Sequence, residues 1–298
     1  MKQTYISGII STLLLLSLSG CWKENVSNCW MGDVTVRVVA EKFQSSPGGD
    51  LEENLGRRVK TLRYYLYKEE ALYRQGVIDS RSALDVQHLI LSFPKLGFGN
   101  YSLALLANVP EGAIEGTDVC EHLSFDYPGI SDTDDYLVSC YKFTVDCDCG
   151  LDDFAVLHRT QGVIELQLKN LPDNITEIEI ELDKLSNMCS VDTLYHGETS
   201  SRYRIATEQV KKGNTVTVVT GSFPTVTDGQ TALILKLYAD GQPGFLAFKT
   251  KITDLRITRN QLIRMAADFK NDISGKIEFS IKVNPSWDGT EGGELPVE

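Results

Sequence analysis

Short stretches of alternating apolar and polar residues recur along nearly the whole chain, bounded by turn residues, and they leave little room for anything but β structure. Val34, Val36 and Val38 alternate with Thr35, Arg37 and Val39, and Leu62, Tyr64 and Leu66 with Arg63, Tyr65 and Tyr67. A period of two sends successive side chains to opposite faces of a sheet. Further strands are predicted over 86–93, 101–109, 136–145, 163–168, 175–182, 201–206, 215–221, 231–239, 246–252 and 276–283. Between them lie turns such as Pro47-Gly48-Gly49-Asp50, Leu171-Pro172-Asp173-Asn174 and Ala239-Asp240-Gly241-Gln242-Pro243. This spacing argues for an all-β chain of sandwiches rather than βαβ units. Two segments admit a helix. Residues 118–124 suit a turn or two in a long loop. Within 259–269, Leu262, Ala266 and Phe269 have helical spacing, whereas Ile263, Met265, Ala267 and Phe269 have strand spacing; the strand is preferred for the second half.

The N-terminus carries a different signal. Lys2 precedes a ten-residue apolar run, 9–18, which ends in Leu18-Ser19-Gly20-Cys21. A membrane-spanning helix needs about 20 apolar residues, so this run has the proportions of a signal peptide. Small residues before a cysteine are what lipoprotein processing reads. Residues 1–20 are therefore expected to be removed and Cys21 lipidated. Each buried methylene contributes about 0.8 kcal/mol, and stable anchoring takes more than one chain, which a multiply acylated Cys21 would supply.

Removing 20 of 298 residues leaves 278, enough for one large or two ordinary domains. A boundary is expected near 149–154, giving units at 33–150 and 151–287, a linker at 21–32 and an acidic, Gly-containing tail at 288–298. The net charge is −12 and no basic cluster is present, which argues against a nucleic-acid partner. With Cys21 assigned to lipid, six cysteines remain as disulfide candidates: Cys29, Cys120, Cys140, Cys147, Cys149 and Cys189. An even count in an oxidising compartment permits three bonds among 15 pairings. Zinc held by Cys120, Cys140, Cys147 and Cys149 is the competing reading, but the spacings do not match paired C-x₂-C ligands.

Sites for chemistry are scarce. His88, His122, His158 and His196 are scattered, and no metalloprotease, nucleophile-elbow, P-loop or dinucleotide motif occurs. Asp132-Thr133-Asp134-Asp135 misses the spacing of a calcium loop and reads as a solvated loop. Tyr64, Tyr65 and Tyr67 suit either a glycan platform or cross-strand packing. No catalytic, cofactor or metal residues are assigned, no small-molecule substrate is expected, and a binding or structural role is favoured over an enzyme.

Several segments, in order, carry a family likeness. Cys21 is followed by Cys29; Gly99-Asn100-Tyr101-Ser102-Leu103 leads to Ala107-Asn108; residues 156–164 contain Val156, Arg159, Gly162 and Ile164; Thr258-Arg259-Asn260-Gln261 precedes an alternating run to Phe269; and 277–287 ends in Trp287. In these the chain resembles the FimB-like fimbrial anchor (minor subunit) lipoproteins of Bacteroidales type V pili, from Cys21 to Trp287. The resemblance implies two tandem transthyretin-like β-sandwich domains. It also implies a surface-exposed protein held to the outer membrane by the lipid on Cys21. Such a protein would sit at the base of a fimbria, limit its length, and dock a stalk subunit by strand addition, in which one chain extends another's sheet. The alternative is a surface glycan-binding lipoprotein of a polysaccharide-uptake system.

Overall fold

The computed structural model describes residues 31–42, 54–79, 88–127, 135–146, 150–212, 215–226, 229–239, 245–271, 277–278 and 281–285. Strands are numbered in chain order. The first nine are β1 (Met31–Ala40), β2 (Leu62–Lys68), β3 (Ala71–Ile78), β4 (Leu89–Gly97), β5 (Gly99–Ala107), β6 (Ile114–Glu115), β7 (Ser124–Asp126), β8 (Leu137–Val145) and β9 (Leu151–Arg159). Alternation decides the orientation of β1: Val34, Val36, Val38 and Ala40 are buried, while Thr35 and Arg37 face outward. β1 pairs antiparallel with β4 and parallel with β9. A sheet of order β3-β2-β5-β8 joins it through two residue pairs between β8 and β9. The ladder thus turns a corner there, and its two wings enclose a core that includes Val36, Leu62, Leu66, Leu103, Leu105, Leu137 and Leu157. Burying each such side chain contributes about 1.5–3 kcal/mol.

The chain passes to the second half at Thr160 and Gln161, so Leu151–Arg159 completes the first sheet, although the sequence places this segment in the second unit. The remaining strands are β10 (Gly162–Lys169), β11 (Ile175–Leu185), β12 (Met188–Ser190), β13 (Tyr195–His196), β14 (Thr199–Ala206), β15 (Lys211–Lys212), β16 (Thr215–Ser222), β17 (Thr231–Ala239), β18 (Leu246–Leu255), β19 (Leu262–Asp268), β20 (Lys270–Asn271), β21 (Ile277–Glu278) and β22 (Ile281–Pro285). Two sheets, β15-β16-β10-β19-β22 and β14-β11-β17-β18, face each other over Leu166, Ile180, Val218, Leu235, Ile252 and Met265. The protein is all-β and built as β-sandwiches.

The second half repeats the connectivity of the first. β1, β4 and β9 correspond to β10, β16 and β19: in each half the first strand lies between an antiparallel neighbour and a parallel last strand. The order β3-β2-β5-β8 likewise corresponds to β14-β11-β17-β18. β22 is an addition outside this correspondence, paired antiparallel with β19. The segment with mixed spacing at 259–269 forms a turn followed by β19; Ile263, Met265 and Ala267 face the core, and the parallel pairing with β10 fixes the extended form. Residues 118–124 hold a short 3₁₀ turn, Cys120–His122.

Candidate docking edges and the junction between the halves

The halves meet through backbone as well as side chains. β7, from the first half, pairs antiparallel with β12 of the second, in a small sheet of order β13-β12-β7-β6. Behind it lies a third core drawn from both halves. Tyr65, Tyr67, Leu106, Leu123, Phe125, Tyr136 and Val138 belong to the first; Cys189, Val191 and Phe223 belong to the second. Phe223 is fully buried, with ring centroids 5.4 Å from Phe125, 4.9 Å from Tyr127 and 5.8 Å from Tyr195. Tyr65 and Tyr67 pack inside this core and Tyr64 meets Phe93 edge-on at 5.8 Å, so this tyrosine run serves packing.

A buried carboxylate ties the other side of the junction. Glu41 is 4% exposed. Its Oε2 accepts from the Arg159 amide at 3.2 Å and from Arg259 Nη1 of the second half at 3.2 Å, with His158 Nδ1 at 3.6 Å. Burial alone would raise its pKa, but the His158 and Arg259 partners and the amide outweigh it, and the carboxyl is held below its ordinary value. Asn260 Nδ2 donates to the Lys42 carbonyl at 3.3 Å, and Tyr195 Oη to the Thr160 carbonyl at 2.7 Å.

Of the residues the sequence singles out, Cys21, Cys29, Cys147, Cys149 and 132–134 lie outside the described residues. Asp135 forms an ion pair with Arg159. Cys120, Cys140 and Cys189 carry free thiols. Cys189 is buried on β12 beside the Tyr195 strand, where burial pushes its thiol pKa up to about 12. Cys120 and Cys140, in contrast, bring their Sγ atoms to 3.7 Å. Both line a cavity of about 300 Å³ with Glu69, Asn100, Lys142 and Asp192. No group of three or more His, Cys, Asp or Glu able to hold a metal ion is present among the described residues.

Sheet edges are the places where another chain can add a strand. Most edges here carry a device that discourages it. β4 contains Pro94, which lacks an N–H, followed by Lys95 with φ 56°. β18 presents Lys249 and Lys251, and β15 is two lysines long. On β14, Arg202 and Arg204 pair with Glu181 and Glu177 of the neighbouring β11. β3 differs. Its eight residues include one charge, Arg74, and no proline; Leu72, Tyr73 and Val77 are 37%, 50% and 49% exposed. Beyond Ala71, bridged to Val119, its outer edge has no partner among the described residues. The hairpin leading into it turns on Glu69 and Glu70, with φ 45° and 73°. Two positive values mark a type I′ turn. The Glu69 carboxylate supports it by accepting from the Asn100 amide at 2.9 Å.

No protein-family model matches the chain, and no curated protein matches it by sequence. Solved structures do. The fold is similar to that of a candidate polysaccharide-binding protein from Bacteroides thetaiotaomicron, with a TM-score of 0.60 at 11% identity, covering 89% of this chain and 98% of that one. The fimbrial anchor protein Mfa2 from Porphyromonas gingivalis gives a TM-score of 0.55 at 14% identity over 86% and 98% of the two chains. A fimbrial assembly protein from Parabacteroides distasonis gives 0.52 at 8% identity over 90% and 99%. At these identities the likeness is one of architecture: the chain shares the β-sandwich fold of these proteins over nearly their full length.

Proposed function

We propose that this protein is a non-enzymatic, surface-exposed lipoprotein of the outer membrane that anchors a fimbria at its base and limits its length. In this reading residues 1–20 are removed, Cys21 carries the lipid, and 21–32 spaces the folded part from the membrane. The observation that carries the reading is the architecture shared with a fimbrial anchor and a fimbrial assembly protein, together with the lipid-attachment signal at Cys21. The stalk subunit docks by strand addition, and β3 is the edge best suited to receive it, being long, apolar and free of proline and lysine.

The anchoring role is tested with Cys21→Ala in cells that assemble fimbriae. Fibres are expected in the medium; fibres that remain cell-bound refute the role. The docking edge is tested separately with Tyr73→Lys combined with Val77→Lys, both at exposed positions. Recovery of the stalk subunit with the purified anchor is expected to fall at least tenfold while the circular dichroism spectrum is unchanged. Undiminished recovery excludes β3.

A further inference from the structure

The loop 120–140 has an unusual position. It leaves the first half at Cys120, contributes β7 to the sheet shared with the second half, and returns at Cys140 on β8. Its two ends are thiols with Sγ atoms 3.7 Å apart, close enough that side-chain rotation brings them to bonding distance. Cys140 is partly exposed and Cys120 is 6% exposed, and both face the cavity through which a reagent can approach. Such a reagent meets two thiols at the ends of the segment that carries β7, which pairs across the junction with β12.

We propose that Cys120 and Cys140 form a disulfide that closes this loop and clamps β7 in place against β12. The proposal rests on the reading that the chain is exported, because the bond requires an oxidant. In the envelope that oxidant is a disulfide-carrying thiol oxidoreductase.

The chemistry divides between the two sulfurs. The Cys120 and Cys140 thiols share a hydrogen bond, and this contact together with the nearby Lys142 ammonium outweighs burial, so the Cys140 thiol is held below its ordinary pKa. That makes Cys140 the attacking thiolate. It displaces one sulfur of the oxidant's disulfide and forms a mixed disulfide. Cys120 then loses its proton to water and attacks the Cys140 sulfur, expelling the oxidant's second sulfur as a thiol. The two protein thiols lose two electrons and two protons, and one disulfide of the oxidant becomes two thiols.

The test uses the chain 21–298, treated with oxidised glutathione or with dithiothreitol. Cleavage after Glu121 separates the two cysteines in sequence, so their peptides stay joined only through a bond between them. The expected result is a joined pair in the oxidised sample, lost on reduction. Free thiols at either position after oxidation, or pairing of either with Cys29, Cys147, Cys149 or Cys189, overturn the proposal. Hydrogen exchange of the 124–127 amides is expected to be at least tenfold slower in the oxidised protein; equal rates overturn the clamping role. The same peptide map on protein recovered from cells separates the two readings. A pair formed in vitro but found as free thiols in cells refutes export and leaves the geometry standing.

Discussion

Replacing Phe223 with alanine tests whether the two halves fold as one unit. The ring is fully buried and touches three aromatic rings, of which Phe125 and Tyr127 belong to the other half. Truncating a buried phenylalanine costs about 3–5 kcal/mol through lost transfer energy and the cavity left behind. The edge-on contact with Phe125, at 5.4 Å and 82°, carries about 0.5–1.5 kcal/mol beyond area burial. The assay is urea unfolding of the wild type, Phe125→Ala, Phe223→Ala and the double variant, followed by far-ultraviolet circular dichroism. Each single change is expected to lower stability by at least about 3 kcal/mol, and the double change to cost less than the sum by about 1 kcal/mol. Leu166→Ala, in the separate second-half core, provides the control and is expected to add to Phe125→Ala without coupling. A cost for Phe223→Ala below about 1 kcal/mol, or additive behaviour with Phe125→Ala, refutes the shared core as a structural joint.

Three further outcomes are expected. Because the folded pKa of Glu41 lies below its ordinary value of 4.5, its contribution is present above that pH and is lost as pH falls through the folded value. Glu41→Gln should therefore cost about 2 kcal/mol at neutral pH, with the difference from wild type narrowing below pH 4.5 in acid titrations of unfolding. Glu70→Gly should stabilise the protein by about 1 kcal/mol, since it relieves a left-handed conformation in the turn before β3; a loss of stability in urea counts against the turn assignment. Gly116→Ala should destabilise by at least about 2 kcal/mol in thermal melts, because at φ +66° its new Cβ would lie 2.2 Å from the His122 carbonyl oxygen; an unchanged melt is the refuting result.

Strands with a buried face are legible in the sequence. β1, β10 and β17 announce themselves because one face meets a core and alternation records it. β3 does not, because both of its faces are largely exposed and its turn residues are Glu69 and Glu70 rather than asparagine and glycine. β7 and β12 are three residues each and exist through pairing across the junction, which no local periodicity can encode. The strand in 259–269 was ambiguous because Leu262 and Phe269 are buried along with the alternating set. The doubled topology leaves no repeat in the residues, since corresponding strands share a pattern of burial rather than identities. The proximity of Cys120 to Cys140 is tertiary: sequence offers 15 pairings among six cysteines and does not show that these two thiols lie 3.7 Å apart.

The parallel pairing of first and last strands has a mechanical consequence. β1 and β9 run side by side through seven registered pairs, Val34↔Leu151 to Ala40↔Leu157, and β10 and β19 through seven more, Val163↔Leu262 to Lys169↔Asp268. The chain enters each pair at one end and leaves at the other. A pull along the chain therefore slides the two strands past each other, and the evenly spaced hydrogen bonds of a parallel ladder share the force at once. A hairpin pulled from its open end would yield them one at a time. Stretched between its own two ends, each half therefore carries the load with its ladder in shear.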